Sequence, residues 1–191
     1  MALVARQTYA FDEYVELEAF GTTKHEFLDG TVWAMAGGSP EHAATAANVV
    51  GILRQGLAGR RCQVFSSDLR IRVEETGLAT YPDLSVVCGR LELDPEDRRG
   101  HTVVNPTVLV EVLSPSTEAY DRGEKLAHYK RIGSLREVVL VAHDEHRIDL
   151  WRRTEGGWTQ RTFGPGQRVV LESLHEITLP VDEIYFDPLA P

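Results

Sequence analysis

Two carboxylates lie in strand-like segments of the sequence where ionised side chains are rare. Asp83 follows Tyr81-Pro82 and begins an apolar strand, and Glu111 stands inside the apolar run Val108–Leu113. Burial of an ionised carboxylate is costly unless a cation or hydrogen bonds compensate it. Two such carboxylates on neighbouring buried strands indicate a divalent metal between them. Lys125, on the following helix, completes a trio suited to hydrolysis of a phosphodiester.

The alternation of side chains along a strand places Glu111 on the same face as Leu109 and Leu113. If the two strands pair in the appropriate register, Glu111 and Asp83 point into one cleft. Such hard oxygen ligands suit Mg²⁺ or Mn²⁺. Each residue also has a plainer interpretation, since Asp83 could cap a turn and Glu111 could form a buried ion pair with Lys125 or an arginine. Taken together, the two carboxylates favour the metal.

Three residues of the following helix share one face, because Asp121, Lys125 and Tyr129 are spaced at i, i+4 and i+8. That face could look back at the cleft, where an ammonium would orient the nucleophile or neutralise the transition state. The alternative is an ordinary exposed pair of Asp121 and Lys125, and helical spacing alone favours it.

Three further polar residues could support such a site. Glu26 precedes the hairpin turn Asp29-Gly30 and could add a carboxylate, or it could bond to backbone amides of that turn. His42 opens a helix whose dipole disfavours a protonated ring, so a neutral imidazole could hydrogen-bond phosphate or a metal-bound water. A structural histidine is the alternative. Asp68 could join the cluster, although a turn role is the simpler account.

The periodicity of the sequence predicts the elements that position these residues. Helices are predicted over 11–19, 41–57 and 121–132, a hairpin over 25–35, strands over 62–65, 69–73, 81–87, 107–113, 137–142 and 147–151, and a charged loop over 89–105. The last helix is predicted to begin at Asp121, which is spaced from Glu124 as in a capping box. This order predicts an α/β (α+β) fold, with a mixed sheet flanked by helices and hairpins added at both ends.

Length and composition predict one domain over residues 1–191. No apolar run approaches the roughly 18 residues of a membrane span. The segment Met1–Tyr14 lacks the pattern of a secretory signal, so a cytoplasmic location is expected. Cys62 and Cys88 have no CxxC spacing, and we expect them to be reduced core residues.

The net charge of −9 weighs against a nucleic-acid partner, because affinity for a polyanion comes largely from lysines and arginines. Clustering weakens this objection, since several basic residues flank the candidate site. They are Arg98, Arg99, Arg122, Lys125, Lys130 and Arg131. A bound Mg²⁺ would also remove charge from the carboxylates.

Several motifs together resemble the Uma family of putative restriction endonucleases, in the PD-(D/E)xK nuclease-like superfamily. These motifs are His25–Gly30, Ser39–His42, Tyr81–Asp83, Glu111–Thr117, Tyr120–Arg122 and Lys125–Tyr129. The resemblance implies the restriction-endonuclease-like fold, a homodimer, and a divalent-metal site formed by Asp83 and Glu111. The superfamily pattern has a lysine two residues after the glutamate, where this sequence has Leu113. Lys125 is the natural substitute.

These observations predict a Mg²⁺- or Mn²⁺-dependent endonuclease that hydrolyses phosphodiester bonds of DNA. The expected catalytic residues are Asp83, Glu111 and Lys125, with Glu26, His42, Asp68 and Tyr129 in support. One alternative is a non-catalytic homodimeric binding module that retains the nuclease fold, which Leu113 and the acidic charge favour. Another is a metal hydrolase that acts on small phosphate esters, which explains the acidity better.

Overall fold

Three β-sheets and five short α-helices make up residues 8–189, which are the residues that the computed structural model describes. The strands are β1 (His25–Leu28), β2 (Thr31–Ala34), β3 (Cys62–Ser66), β4 (Arg70–Arg72), β5 (Ala79–Thr80), β6 (Leu84–Cys88), β7 (Thr102–Val103), β8 (Val108–Val112), β9 (Glu137–Val141), β10 (Ile148–Thr154), β11 (Gly157–Phe163), β12 (Arg168–Leu171) and β13 (Ile177–Pro180). The α-helices are α1 (Phe11–Phe20), α2 (Pro40–Gly56), α3 (Glu118–Tyr120), α4 (Leu126–Tyr129) and α5 (Val181–Ile184). A π-helical turn at Asp121–Lys125 joins α3 to α4, and a 3₁₀ turn spans Glu172–Leu174.

The central six-stranded sheet has the order β11-β10-β9-β8-β6-β3. Only β8 and β9 run parallel, and every residue of both strands is buried. Helix α2 packs on one face through Val49 and Leu53, and α4 packs on the other through Leu126 and Tyr129. Because helices cover both faces, β8 and β9 are apolar along almost their whole length.

A second sheet has the order β2-β1-β5-β4-β7, and β12 pairs with β13 in a third. The hairpin of β1 and β2 turns at Asp29 (φ 48°) and Gly30 (φ 79°). Two consecutive positive φ angles make the tight hairpin turn that an Asp-Gly pair favours. The predicted mixed sheet flanked by helices is therefore confirmed, with the N-terminal hairpin incorporated into the second sheet.

The single strand predicted over 81–87 is wrong, because the chain changes sheets at this point. Strand β5 ends at Thr80 in the second sheet, and β6 begins at Leu84 in the central one. Pro82 lies in the crossing, where its missing N–H interrupts no ladder. Asp83 consequently stands where the two sheets meet.

The boundaries of two other predicted segments also differ. The charged loop over 89–105 contains β7, whose Thr102 pairs in parallel with Arg70 of β4. Helical structure in the 121–132 segment begins earlier, at Glu118, so Asp121 does not cap the helix. Its carboxylate lies inside the π-helical turn and faces an ammonium instead.

The expectation of reduced core cysteines is also wrong. Cys62 and Cys88 are paired residues of the adjacent strands β3 and β6, and they form a disulfide. Both residues are half-buried at the edge of the core. The disulfide therefore ties the edge strand β3 covalently to β6, the strand that begins directly after Asp83.

Reduction of this disulfide is expected to lower the melting temperature. The bridge spans 26 positions. Closing a loop of that size with a disulfide contributes about 3 kcal/mol to the free energy of unfolding. For a chain of this length, that corresponds to roughly 6–12 °C in melting temperature. Thermal unfolding with and without dithiothreitol measures the effect, and a Cys62→Ala/Cys88→Ala double variant should not respond. Two freely titrating thiols in the untreated protein would contradict the bridge.

Within residues 8–189, no helix is both long and apolar enough to cross a membrane. Residues 1–7, the first half of the segment examined for a secretory signal, lie outside the described residues.

Candidate active site

The structure brings Asp83 and Glu111 together at one end of two adjacent strands. Strands β6 and β8 are antiparallel, with Leu84 opposite Val110, so Asp83 lies across from Glu111. Asp83 Oδ2 accepts the Val112 N–H at 2.7 Å, and the Asp83 N–H donates to Glu111 Oε2 at 3.4 Å. These bonds fix the two carboxylates side by side.

Lys125 is buried beside them, with only 5% of its side chain exposed. Its Nζ lies 3.0 Å from Glu111, 3.1 Å from Glu26 and 3.4 Å from Asp121. Asp121 and Lys125 do form a pair, but the pair is buried within this cluster and is not the exposed one that helical spacing favoured. Tyr129, on the same helix face, donates its O–H to Glu111 Oε1 at 2.5 Å. The π-helical turn that carries Lys125 is a geometry found frequently at functional sites.

The charges in this cluster are not balanced. The pKa of Glu111 is raised to about 8, because burial, together with the charges of Asp83 and Asp121, outweighs the lowering effect of Lys125. Burial alone would lower the pKa of Lys125, but Glu111 and the other acidic neighbours outweigh it and raise that pKa well above its usual value. The site thus holds more acidic groups than its lysine neutralises, which is the condition that a divalent cation would relieve.

His42 reaches the same carboxylates from α2. Its Nε2 lies 3.2 Å from Asp83 Oδ2, and Ser39 fixes the start of the helix by accepting the His42 backbone N–H. The hydrogen bond with Asp83 raises the pKa of His42. The helix dipole therefore does not decide the protonation of this ring, because a carboxylate favours the charged form more strongly.

Glu26 joins the cluster, whereas Asp68 does not. Glu26 is buried, accepts the Thr80 hydroxyl and binds Lys125, so it does not serve the hairpin turn. The Asp68 carboxylate is 82% exposed and binds Lys24 at 2.6 Å.

Both strand carboxylates keep an oxygen atom available for a metal. Among the described residues, no protein N–H or O–H donates to Asp83 Oδ1, and Glu111 Oε2 accepts only a long bond. Asp83 is 19% exposed and borders a cavity of about 720 Å³ that Glu111 and Lys125 also line. These oxygens suit Mg²⁺ or Mn²⁺. Over residues 8–189, no set of three or more His, Cys, Asp or Glu side chains is arranged to hold a metal.

The basic residues that flank the site in sequence are mostly neutralised. Arg99 binds Glu16 at 2.7 Å, Arg122 binds Asp149 at 2.6 Å, and Arg131 binds Glu75. Their clustering therefore does not offset the acidic charge as the sequence suggested.

Stability in the absence of metal is expected to fall as pH rises from about 4.5 to about 8. In this window the folded chain keeps a proton on Glu111 that the unfolded chain has lost, since its ordinary pKa is 4.5. His42 acts in the same direction, because the stability from its raised pKa is lost as pH rises through that pKa.

Denaturant unfolding in chelator across this pH range measures the slope. Glu111→Gln should flatten it and leave the His42 part. Stability that rises with pH over the window would contradict the assignment.

Sequence reasoning missed several participants. The Val112 N–H donates to Asp83 and the Thr80 hydroxyl donates to Glu26, and neither donor carries a sequence signal. Trp33 also lines the cavity beside the carboxylates. The sequence does carry a signal for this residue, because the two-residue turn of the hairpin sets Trp33 opposite Glu26.

Comparison with known proteins extends these observations. Residues 11–182 match the Uma2 family, described as "Putative restriction endonuclease". An uncharacterized protein of Synechocystis sp., slr1290, is 36% identical over 176 residues, which cover 91% of this chain and 90% of that protein. A second, sll1609, is 29% identical over 141 residues, 74% of this chain and 78% of that protein.

The fold is shared with a solved structure, described as a putative nuclease belonging to DUF820 from Anabaena variabilis. The TM-score is 0.75 with 19% identity, and the match covers 93% of this chain and 97% of that one. The resemblance in the sequence motifs is confirmed by the family match, which spans nearly the whole chain. The chain belongs to the Uma2 family of putative restriction endonucleases.

Proposed function

We propose that this protein is a Mg²⁺- or Mn²⁺-dependent endonuclease that hydrolyses phosphodiester bonds of DNA. The observation that carries the proposal is the placement of Asp83 and Glu111 side by side, with the Lys125 ammonium 3.0 Å from Glu111. Membership of a family described as "Putative restriction endonuclease" supports the same chemistry.

In this proposal the Asp83 and Glu111 carboxylates hold the metal. When bound, the ion would lower the pKa of a water molecule and stabilise charge on the scissile phosphate. Leu113 occupies the position of the lysine in the superfamily pattern, and Lys125 reaches Glu111 from the π-helical turn instead. Its ammonium would contribute positive charge next to the phosphate. Tyr129 and Glu26 hold Glu111 and Lys125 in place.

His42 has a positioning role through Asp83. It holds the Oδ2 atom while Oδ1 stays available. A proton on this ring also offsets part of the acidic charge until a cation arrives.

Cleavage of DNA by the purified chain in the presence of Mg²⁺ or Mn²⁺, and its loss in chelator, tests the proposal. Nicking of a supercoiled plasmid is a sensitive readout. Asp83→Asn controls for a contaminating nuclease, since the variant passes through the same purification. Equal cleavage by wild type and Asp83→Asn would sink the proposal.

A non-catalytic binding module is the second candidate, and two observations favour it. Leu113 is fully buried in the core, and both Lys125 and Tyr129 already engage Glu111 Oε1. Calorimetric titration with Mn²⁺ separates the candidates. Saturable binding that Glu111→Gln abolishes favours the nuclease, and no heat above dilution favours the module.

We also propose that the active form is a homodimer. Strand β11 supports this proposal, since it lies at the edge of the central sheet and most of its residues are exposed. Light scattering on the purified protein measures the mass directly. The cytoplasmic location stays a prediction from the sequence, and the Cys62–Cys88 bridge argues against it, because disulfides are rare in reducing compartments.

A further inference from the structure

The cavity beside the carboxylates also has an apolar wall, and hydrolysis of a phosphodiester does not by itself require one. Its volume of about 720 Å³ falls within the range of small-molecule pockets. One side carries Glu26, Asp83 and Glu111, and the lining also includes an indole and a row of small apolar side chains.

Trp33 supplies the indole. It is the cross-strand partner of Glu26 in the β1–β2 hairpin, so the two side chains leave the same face of the hairpin. Trp33 is half-buried, and its ring meets Tyr120 edge to face, with centroids 6.4 Å apart and planes at 84°. A fixed aromatic ring therefore stands next to the carboxylate that binds Lys125.

Helix α2 supplies the row of small residues. Ala43, Ala46, Ala47 and Val50 recur at helical spacing and line the cavity beyond His42. Ala43 and Ala47 are exposed. This surface leaves room for a flat, apolar group within the same cavity as the candidate metal ligands.

The charges of the cavity do not suit a double-stranded substrate. Of the described residues that line it, the cationic side chains are Lys24 and Lys125, together with His42 when that ring is protonated against Asp83. Asp68 binds the first at 2.6 Å, and three carboxylates surround the second. A duplex presents two phosphate backbones, whose binding depends on several unneutralised lysines or arginines.

We propose that this cavity accepts single-stranded DNA, with one base stacked on Trp33 and the neighbouring phosphodiester at Asp83 and Glu111. This inference rests on the proposed function and names the substrate class of the same site. Stacking on an aromatic ring does not depend on many cations, and it tolerates any base. The binding energy then comes from stacking of the base and from contact of the phosphate with the metal. Neither interaction requires a basic protein surface.

The first test compares cleavage of a labelled oligonucleotide with cleavage of its duplex in Mn²⁺. The single strand should be cut at least about tenfold faster. Trp33→Ala should lower kcat/KM on the single strand by about tenfold to a hundredfold, the usual range for loss of one base stack. Trp33→Phe should retain most activity, and Trp158→Ala, a tryptophan outside the cavity, should resemble wild type.

A second readout does not depend on cleavage. Titration of a short oligothymidylate in Ca²⁺ should quench tryptophan fluorescence, and Trp33→Phe should remove that component while Trp151 and Trp158 still emit. Rapid cutting of duplex by wild type, unchanged in Trp33→Ala, would overturn the inference and leave the endonuclease standing. Quenching through Trp33 without any cleavage would support the inference and overturn the proposed activity. Neither cleavage nor quenching would overturn both.

Discussion

Glu111→Gln is expected to abolish metal-dependent DNA cleavage, with a loss of at least about a hundredfold. In the wild type the Tyr129 O–H donates to Glu111 Oε1. The amide oxygen of glutamine can accept the same hydrogen bond, so the local packing is kept. What the variant loses is the negative charge that holds a cation beside Asp83. Rates of plasmid nicking at several Mn²⁺ concentrations measure the loss, and high metal should restore little of it.

Glu137→Gln is the matched control for this experiment. Glu137 is also a buried glutamate in an apolar strand of the central sheet, but its partners are Arg152 at 2.8 Å and Ser173. The same chemical change there should leave the metal dependence of cleavage unchanged, even if the variant melts earlier. Equal losses of activity in the two variants would mean that the effect comes from damage to the sheet and not from a metal ligand.

The comparison of these two glutamates shows where sequence reasoning stops. Both stand in strands of almost unbroken apolar character, so the argument from a costly buried carboxylate applies equally to each. Glu137 is compensated by a guanidinium from β10, whereas Glu111 borders a cavity. The difference lies in contacts between strands that are distant in sequence, and no local pattern reports them.

Local rules are sufficient for the parts of the site that depend on a single element, although the pairing of Glu26 with Trp33 was not among the predictions drawn from them. The Asp29-Gly30 turn fixes the pairing of Glu26 with Trp33, and helical spacing places Lys125 and Tyr129 on one face. The π-helical turn widens that helix without separating the two residues from the sheet. These features follow from turn geometry and helix periodicity, which short stretches of sequence encode.

Features that depend on tertiary pairing were not predictable in this way. The change of sheet around Pro82 places Asp83 opposite Glu111, and it depends on which strands become neighbours. The capture of Arg99 by Glu16 is of the same kind, since the two residues lie in different elements. Charge clustering along the chain therefore overestimated how basic the surroundings of the site are.

Lys125→Met is expected to destabilise the protein by about 3–5 kcal/mol, the usual result of removing one partner from a buried ionic cluster. The lysine lies within 3.4 Å of Glu26, Glu111 and Asp121, and methionine fills a similar volume without charge. The three carboxylates would then be left together in a buried site. Chemical denaturation at neutral pH in chelator measures the loss, and Mn²⁺ should recover part of it if a cation binds beside Glu111.

Lys24→Met provides the control, because Lys24 is 39% exposed and its pair with Asp68 is expected to contribute less than about 1 kcal/mol. Adding Glu26→Gln to Lys125→Met should restore stability, since the amide removes one of the unpaired charges and the two residues are in contact. A loss as small as that of Lys24→Met would show that Lys125 is not required to neutralise the cluster. A large loss without recovery in the double variant would place the energy in packing, because charge repulsion is the part that Glu26→Gln removes.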